Sequence, residues 1–414
     1  MKLFNLKNLY LQLNNNDNIS KVIIIFLFSF LIRFLYSFIT SNFSKPFIED
    51  ESSYFEIAYI FLNEGFFSDK THYRVPIASI IILPIIKFFE IEKSILFVKF
   101  LMIILSSFSC VLIFLNCVEL GLNKFRSFLT SIFYSIYPFS IYFSSRYLSE
   151  TLTEFILLII SLIYLKYSKL NNFRFLFFLA ILFGLLTLTR SAFYYLFLVL
   201  IFLMFFEKIK FRIKLTKILF LFSVFYLTLS PWIIKNYIVH GEFVPTSTRL
   251  GYGLWLSNND FENKIIKNGG YSRTNNYQKH IDISHSIENI FERSDYLKRK
   301  SIEQILENKK IFPQVLINRL KNMLNLKPNP YKEKFEISDY IMIIYLTVVY
   351  IFFMIGIFTL NSKYNFLFLV MVIFYTLIIH LPFYGIPRFR FPVDSYFIII
   401  SCLTFFHFKK YFSK

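Results

Sequence analysis

Apolar runs of about 18 residues or more recur along nearly the whole of this 414-residue chain, and that one feature leaves few folds open. A helix needs a run of that length to cross a hydrocarbon core roughly 30 Å thick. The chain therefore reads as an all-α polytopic membrane protein rather than a soluble domain. Spans are expected at about 21–41, 95–117, 126–144, 150–167, 173–189, 191–206, 215–235, 338–360, 364–381 and 393–408. The stretch 75–89, VPIASIIILPIIKFF, is about 15 residues long and carries Pro76 and Pro84. It is short for a crossing, and is read as lying along the membrane surface.

Charge sets the orientation. A net charge of +19 would suggest nucleic acid in a soluble protein, but a membrane protein collects Lys and Arg on its cytoplasmic loops. With 75–89 on the surface, one face gathers Lys2, Lys7, Lys21, Lys124, Arg126, Lys166, Lys169 and Arg174. The same face takes Lys208, Lys210, Arg212, Lys214, Lys217, Lys363, Lys409, Lys410 and Lys414, which makes it cytoplasmic, with both termini there. No nucleic-acid partner is implied. The first apolar run lacks a small-residue cleavage site and is expected to stay as an anchor. Cys110, Cys117 and Cys402 fall inside apolar runs, so no disulfide framework is indicated. The 57 Phe and 28 Tyr suit tight aromatic packing, and suit a biased genomic base composition equally well.

Three regions follow: a transmembrane module over 1–235 containing a first outer loop at 42–94, an extracytoplasmic helical loop over 236–337, and C-terminal spans over 338–414. In the long loop, 286–309 has the spacing of an amphipathic helix, and Pro313 opens a second helical stretch. His280 and His285, five apart, are read as solvated loop residues, since helical metal pairs sit four apart.

The outer face carries ionisable residues at helix ends, where they are costly to hold and therefore candidates for function. Asp50 and Glu51 stand in FIEDESSY, just after the first span, and Gly65 is expected to stop the helix that they open. A carboxylate there suits a general base for an attacking hydroxyl, though acidic residues also favour any helix start. Adjacent carboxylates diverge on a helix, so one of the two is expected to face a substrate. Arg74 precedes Pro76, Glu150 opens a later span, and Arg190 sits at the tip of a hairpin. Lys235 follows Pro231-Trp232, and Arg388 and Arg390 stand beside Pro387. Singly, each cation reads as an interfacial anchor; together they suit a lipid-linked phosphate. Arg33, inside the first span, is expected to pair with another helix or to snorkel. No Walker loop, dinucleotide fingerprint or nucleophile elbow is present.

In chain order the motifs are DExxY (Asp50, Glu51, Tyr54), RxP (Arg74, Pro76), the span-opening Glu150 and LTR (188–190). They continue as PWxxKN running into GEFVPTSTRLGYGLWLSNN (231–259), then ILENKKIFPQVLINRLKNM, then RFRFP. The set resembles the bacterial branch of the protein mannosyltransferase family, with its aminoarabinose-transferase relatives. The resemblance implies a GT-C bundle of about 10 transmembrane helices, with interfacial helices in the first outer loop. It implies a sugar donor on polyprenyl phosphate, an acceptor that is a glycolipid, glycan or protein, and an active site outside the bacterial inner membrane. By the same resemblance, Asp50 (with Glu51 beside it) would be the base of an inverting displacement. Arg74, Arg190, Lys235, Arg388 and Arg390 would bind the phosphate, and Glu150 and Tyr54 would contact acceptor or metal. A divalent metal stays open. Lys235 stands where many relatives carry Arg, which exchanges a fork-shaped donor for a point charge. An O-antigen ligase or polymerase and a lipid-linked saccharide transporter are the competing readings.

Overall fold

The computed structural model describes residues 18–328, 336–360 and 366–412, without the side chains of 409–412. Lys2, Lys7, Lys363 and Lys414 lie outside the described residues, as do the side chains of Lys409 and Lys410. Every regular element among the described residues is helical. Six helices are long and apolar enough to cross a bilayer: Asn18–Ile39, Ile91–Glu119, Ser149–Leu170, Phe211–His240, Ile337–Thr359 and Pro387–Phe408. Phe173–Thr189, Ser191–Phe205 and Leu367–His380 are shorter apolar helices at three more of the expected positions.

The first span shows how the bundle is built. Its buried residues are Lys21, Ile25, Ser29, Arg33 and Ser37, one every fourth position. That narrow stripe faces the protein, while Ile23, Leu27, Leu31 and Leu35 point outward, as lipid demands. Arg33 does not snorkel. It is wholly buried, donating to Ser106 Oγ (2.7 Å), Ser140 Oγ (2.9 Å) and the carbonyls of Ser29 and Ser135, and so ties this helix to its neighbours.

The expected span 126–144 is two helices, Lys124–Ser135 and Pro138–Ser144. Pro138 disfavours the helical conformation in the residue before it and opens the second piece at its N-terminus. The stretch 75–89 is likewise two short helices, Ile77–Ile80 and Leu83–Phe88, packed under Asp50–Asn63. Tyr54, Ala58, Ala78, Ile82 and Tyr147 form the small apolar core between them. Gly65, at φ +86°, ends that helix as expected.

The long loop folds as Arg249–Asn258, Asn275–His285, Ile290–Glu307 and Phe312–Met323, with shorter turns between. His280 lies within the second of these helices, its Nδ1 2.6 Å from Tyr296 Oη, so it is packed rather than a solvated loop residue. Two glycines set close backbone approaches, one within this region and one between it and the segment before the last span. A Cβ on Gly251 would fall 1.8 Å from the Ser294 carbonyl oxygen, and one on Gly385 would fall 2.2 Å from that of Arg319. Only glycine permits either approach.

Candidate active site

Asp50 is presented by a strained turn. The Glu51 N–H donates to the Ile48 carbonyl (3.0 Å), and Glu49 holds φ 51°, ψ −116°. Those angles belong to the first central position of a type II′ turn, where glycine is the usual residue. A glutamate there costs about 1–3 kcal/mol, a strain typical of functional sites. The two following carboxylates then diverge. Glu51 turns inward, is buried, and accepts the Tyr147 N–H at 2.8 Å. Asp50 turns the other way and stays 25% exposed.

Around Asp50 the chain converges from five distant segments. Arg74 Nη2 lies 2.5 Å from Asp50 Oδ1, its guanidinium 4.4 Å from the Tyr54 ring centroid. Arg249 Nη2 approaches the same oxygen at 3.5 Å. Arg388 Nη2 takes Asp50 Oδ2 at 2.8 Å, while its Nε takes Glu150 Oε1 at 2.5 Å, so one guanidinium bridges both carboxylates. Arg190 Nη1 stands 3.0 Å from that Glu150 oxygen, at an angle too poor for a hydrogen bond. Glu150 is buried, and its Oε2 has no hydrogen-bond partner among the described residues.

Four guanidiniums thus face two carboxylates, leaving about two positive charges unneutralised at the loop-bearing end of the bundle. Burial by itself would raise the Asp50 pKa, but Arg388, Arg74 and Arg249 outweigh it and hold the carboxyl far below the ordinary carboxylate range. Such a cluster suits an oxyanion. It suits a divalent cation poorly, because the arginines crowd both carboxylates. Among the described residues no three His, Cys, Asp or Glu side chains converge.

Not every expected residue joins. Tyr54 supports Arg74 from beneath. Lys235 is wholly buried over the Trp232 ring, 4.9 Å from its centroid, and forms no ion pair with the cluster. Arg390 corrects the sequence expectation most clearly. Its Nε takes Asp394 Oδ1 at 2.6 Å, its Nη1 donates to the Met323 and Asn325 carbonyls, and both members of the pair are 1% exposed. It is a rivet between the last span and Phe312–Met323, and no phosphate could reach it. Arg249 was missed by the sequence reading. Its signal was present, a lone cation closing the PTST segment of the most distinctive motif.

Beside Arg74 and Arg249 opens a cavity of about 470 Å³, walled by residues between 49 and 74 and by Arg249–Asn258, Asn275–His285 and Ile290–Glu307.

No family model matches this chain, and no curated protein sequence does. Among solved structures it is similar to an oligosaccharyltransferase of Archaeoglobus fulgidus, crystallised with an acceptor peptide containing the NVT sequon tethered by a disulfide. The TM-score is 0.55 at 14% identity, covering 94% of this chain and 49% of that one. The fold is GT-C. The chain thus spans about half the length of that enzyme, and at this identity the likeness concerns the fold.

Proposed function

We propose that this protein is a glycosyltransferase of the bacterial mannosyltransferase-like family, moving a sugar from polyprenyl phosphate to an acceptor hydroxyl at the extracytoplasmic face of the inner membrane. The observation that carries the reading is Arg388 bridging Asp50 and Glu150 inside a four-arginine cluster at one end of the bundle. The donor's phosphate would lie against Arg190, Arg388 and Arg74. The acceptor oxygen attacks the anomeric carbon, the bond from that carbon to the phosphate oxygen breaks, and the electron pair leaves with the phosphate. Its growing charge meets guanidiniums already in place. The acceptor proton passes to Asp50, and direct displacement inverts the carbon.

A carboxylate clamped by arginines is a weak base at neutral pH. The donor itself supplies the remedy, since its phosphate competes for Arg388 and Arg74 and thereby unclamps Asp50 as the reacting groups assemble. Glu150, 1% exposed behind Arg388 and Arg190, holds those two guanidiniums where the phosphate would meet them. A transporter would have no use for a base poised among phosphate ligands. The test is mass spectrometry of envelope glycolipids and glycoproteins in a deletion strain complemented with wild type or Asp50→Asn. Wild type should restore one sugar mass, and the variant should insert in the membrane without restoring it. Full restoration by the variant removes Asp50 as the base.

A further inference from the structure

We infer that the cavity beside Arg249 is the acceptor chamber and that it takes a saccharide bearing a carboxylate or a phosphate. The inference rests on the transferase reading above, whose acceptor it specifies.

None of the residues lining this cavity belongs to a candidate membrane span, so its ligand arrives through the polar loops and not from among the lipid tails. At about 470 Å³ it has the size of a small-molecule site, roomy enough for one or two sugar rings. Arg74 and Arg249 line it and also touch Asp50 Oδ1, so a hydroxyl held in the cavity lies next to the proposed base. Tyr73, Tyr252 and Leu297 supply the apolar faces that sugar rings pack against.

Charge selects the class. Arg74 is committed to Asp50 at 2.5 Å. Arg249 holds Asp50 only loosely, at 3.5 Å, and is 42% exposed. Arg293, on the opposite wall, has no carboxylate within ion-pair distance among the described residues. Its Nε donates to the Ile287 carbonyl (2.5 Å), and its Nη2 reaches only the Glu288 carbonyl at 3.5 Å. The one carboxylate in the lining is Glu49. His72 adds no charge at neutral pH, because burial above all, with the neighbouring His240 and Lys235, pushes its pKa down to about 4. Two cations with no carboxylate closer than 3.5 Å flank a sugar-sized space, and an oxyanion on the ligand would meet both.

The test uses the full chain in nanodiscs without donor, and glucose, glucuronate, glucose 6-phosphate and inorganic phosphate as probes, with sugar binding followed by saturation-transfer NMR and phosphate binding by calorimetry. Glucuronate or glucose 6-phosphate should bind about tenfold tighter than glucose, and which of the two wins names the oxyanion. Arg293→Gln should abolish that preference and Arg293→Lys should keep most of it, while the tighter phosphate site, the Arg190–Arg388 cluster, keeps its affinity for inorganic phosphate in all three proteins. Equal binding of glucose and the acidic sugars, or an undiminished preference in Arg293→Gln, overturns the inference. Should Arg293→Gln fail to fold, Arg249→Gln makes the same comparison from the other wall. Because binding is read without turnover, a chamber selective for acidic sugars in a protein that transfers nothing would sink the transferase reading and leave the chamber standing.

Discussion

Replacing Asp50 with asparagine should tighten phosphate binding while it ends transfer, and both effects come from the same three guanidiniums. In the donor-free protein those groups are shared with the Asp50 carboxylate at 2.5, 2.8 and 3.5 Å. A phosphate that enters must draw them away. A unit-charge pair at about 4 Å is worth roughly 4 kcal/mol at an effective dielectric of 20, and an exposed pair at most about 1 kcal/mol net. Asp50 is 25% exposed and lies between those limits, so its competition is worth about 1–3 kcal/mol. Asparagine keeps the shape and removes the charge, so the Kd of inorganic phosphate should fall about 5- to 150-fold at 1.4 kcal/mol per decade. Transfer should drop by about 10² or more, the usual cost of losing a general base. Calorimetry on protein in nanodiscs at low salt measures the first effect, and glycan mass spectrometry the second. An unchanged or weakened phosphate affinity would show that Asp50 positions the arginines instead of competing for them, and the donor-released base would then be wrong.

Arg388→Gln and Arg390→Gln should separate cleanly although the residues are two apart. The first should fold and lose about 10²-fold or more in transfer, whereas the second leaves Asp394 buried without its partner and should lose about 3–5 kcal/mol of stability, read as a fall in melting temperature in detergent. His72 gives a pH signature. Its folded pKa of about 4 lies below the ordinary 6.5, so the stability it contributes is complete above pH 6.5 and is lost as pH falls toward 4. The loss should be about 1–3 kcal/mol, and melting curves of His72→Gln should lack that part of the acid slope. Glu49→Gly should relieve the turn strain and stabilise the fold by about 0.5–2 kcal/mol, the extra entropy lost by glycine offsetting some of the gain.

Hydropathy by itself determined that the chain is a membrane bundle and where most of its spans fall, because lipid-facing helices need long apolar runs whatever their neighbours are. Local chemistry carried other details, such as Gly65 ending a helix and Pro313 opening one, since those preferences act over a few residues. Tertiary structure alone decided which ionisable groups meet. In sequence Arg388 and Arg390 are equivalent cations beside a proline, yet on the turn Pro387–Arg390 they diverge, one toward Asp50 and Glu150 and the other toward Asp394. Asp50 and Glu51 part in the same way, and Arg249 enters the cluster from a helix that Gly251 lets cross Ser294 closely. Whether a charge pairs, lines a cavity or rivets two helices depends on helix phase and on approach between segments far apart in the chain, and neither is encoded in the residues next to it.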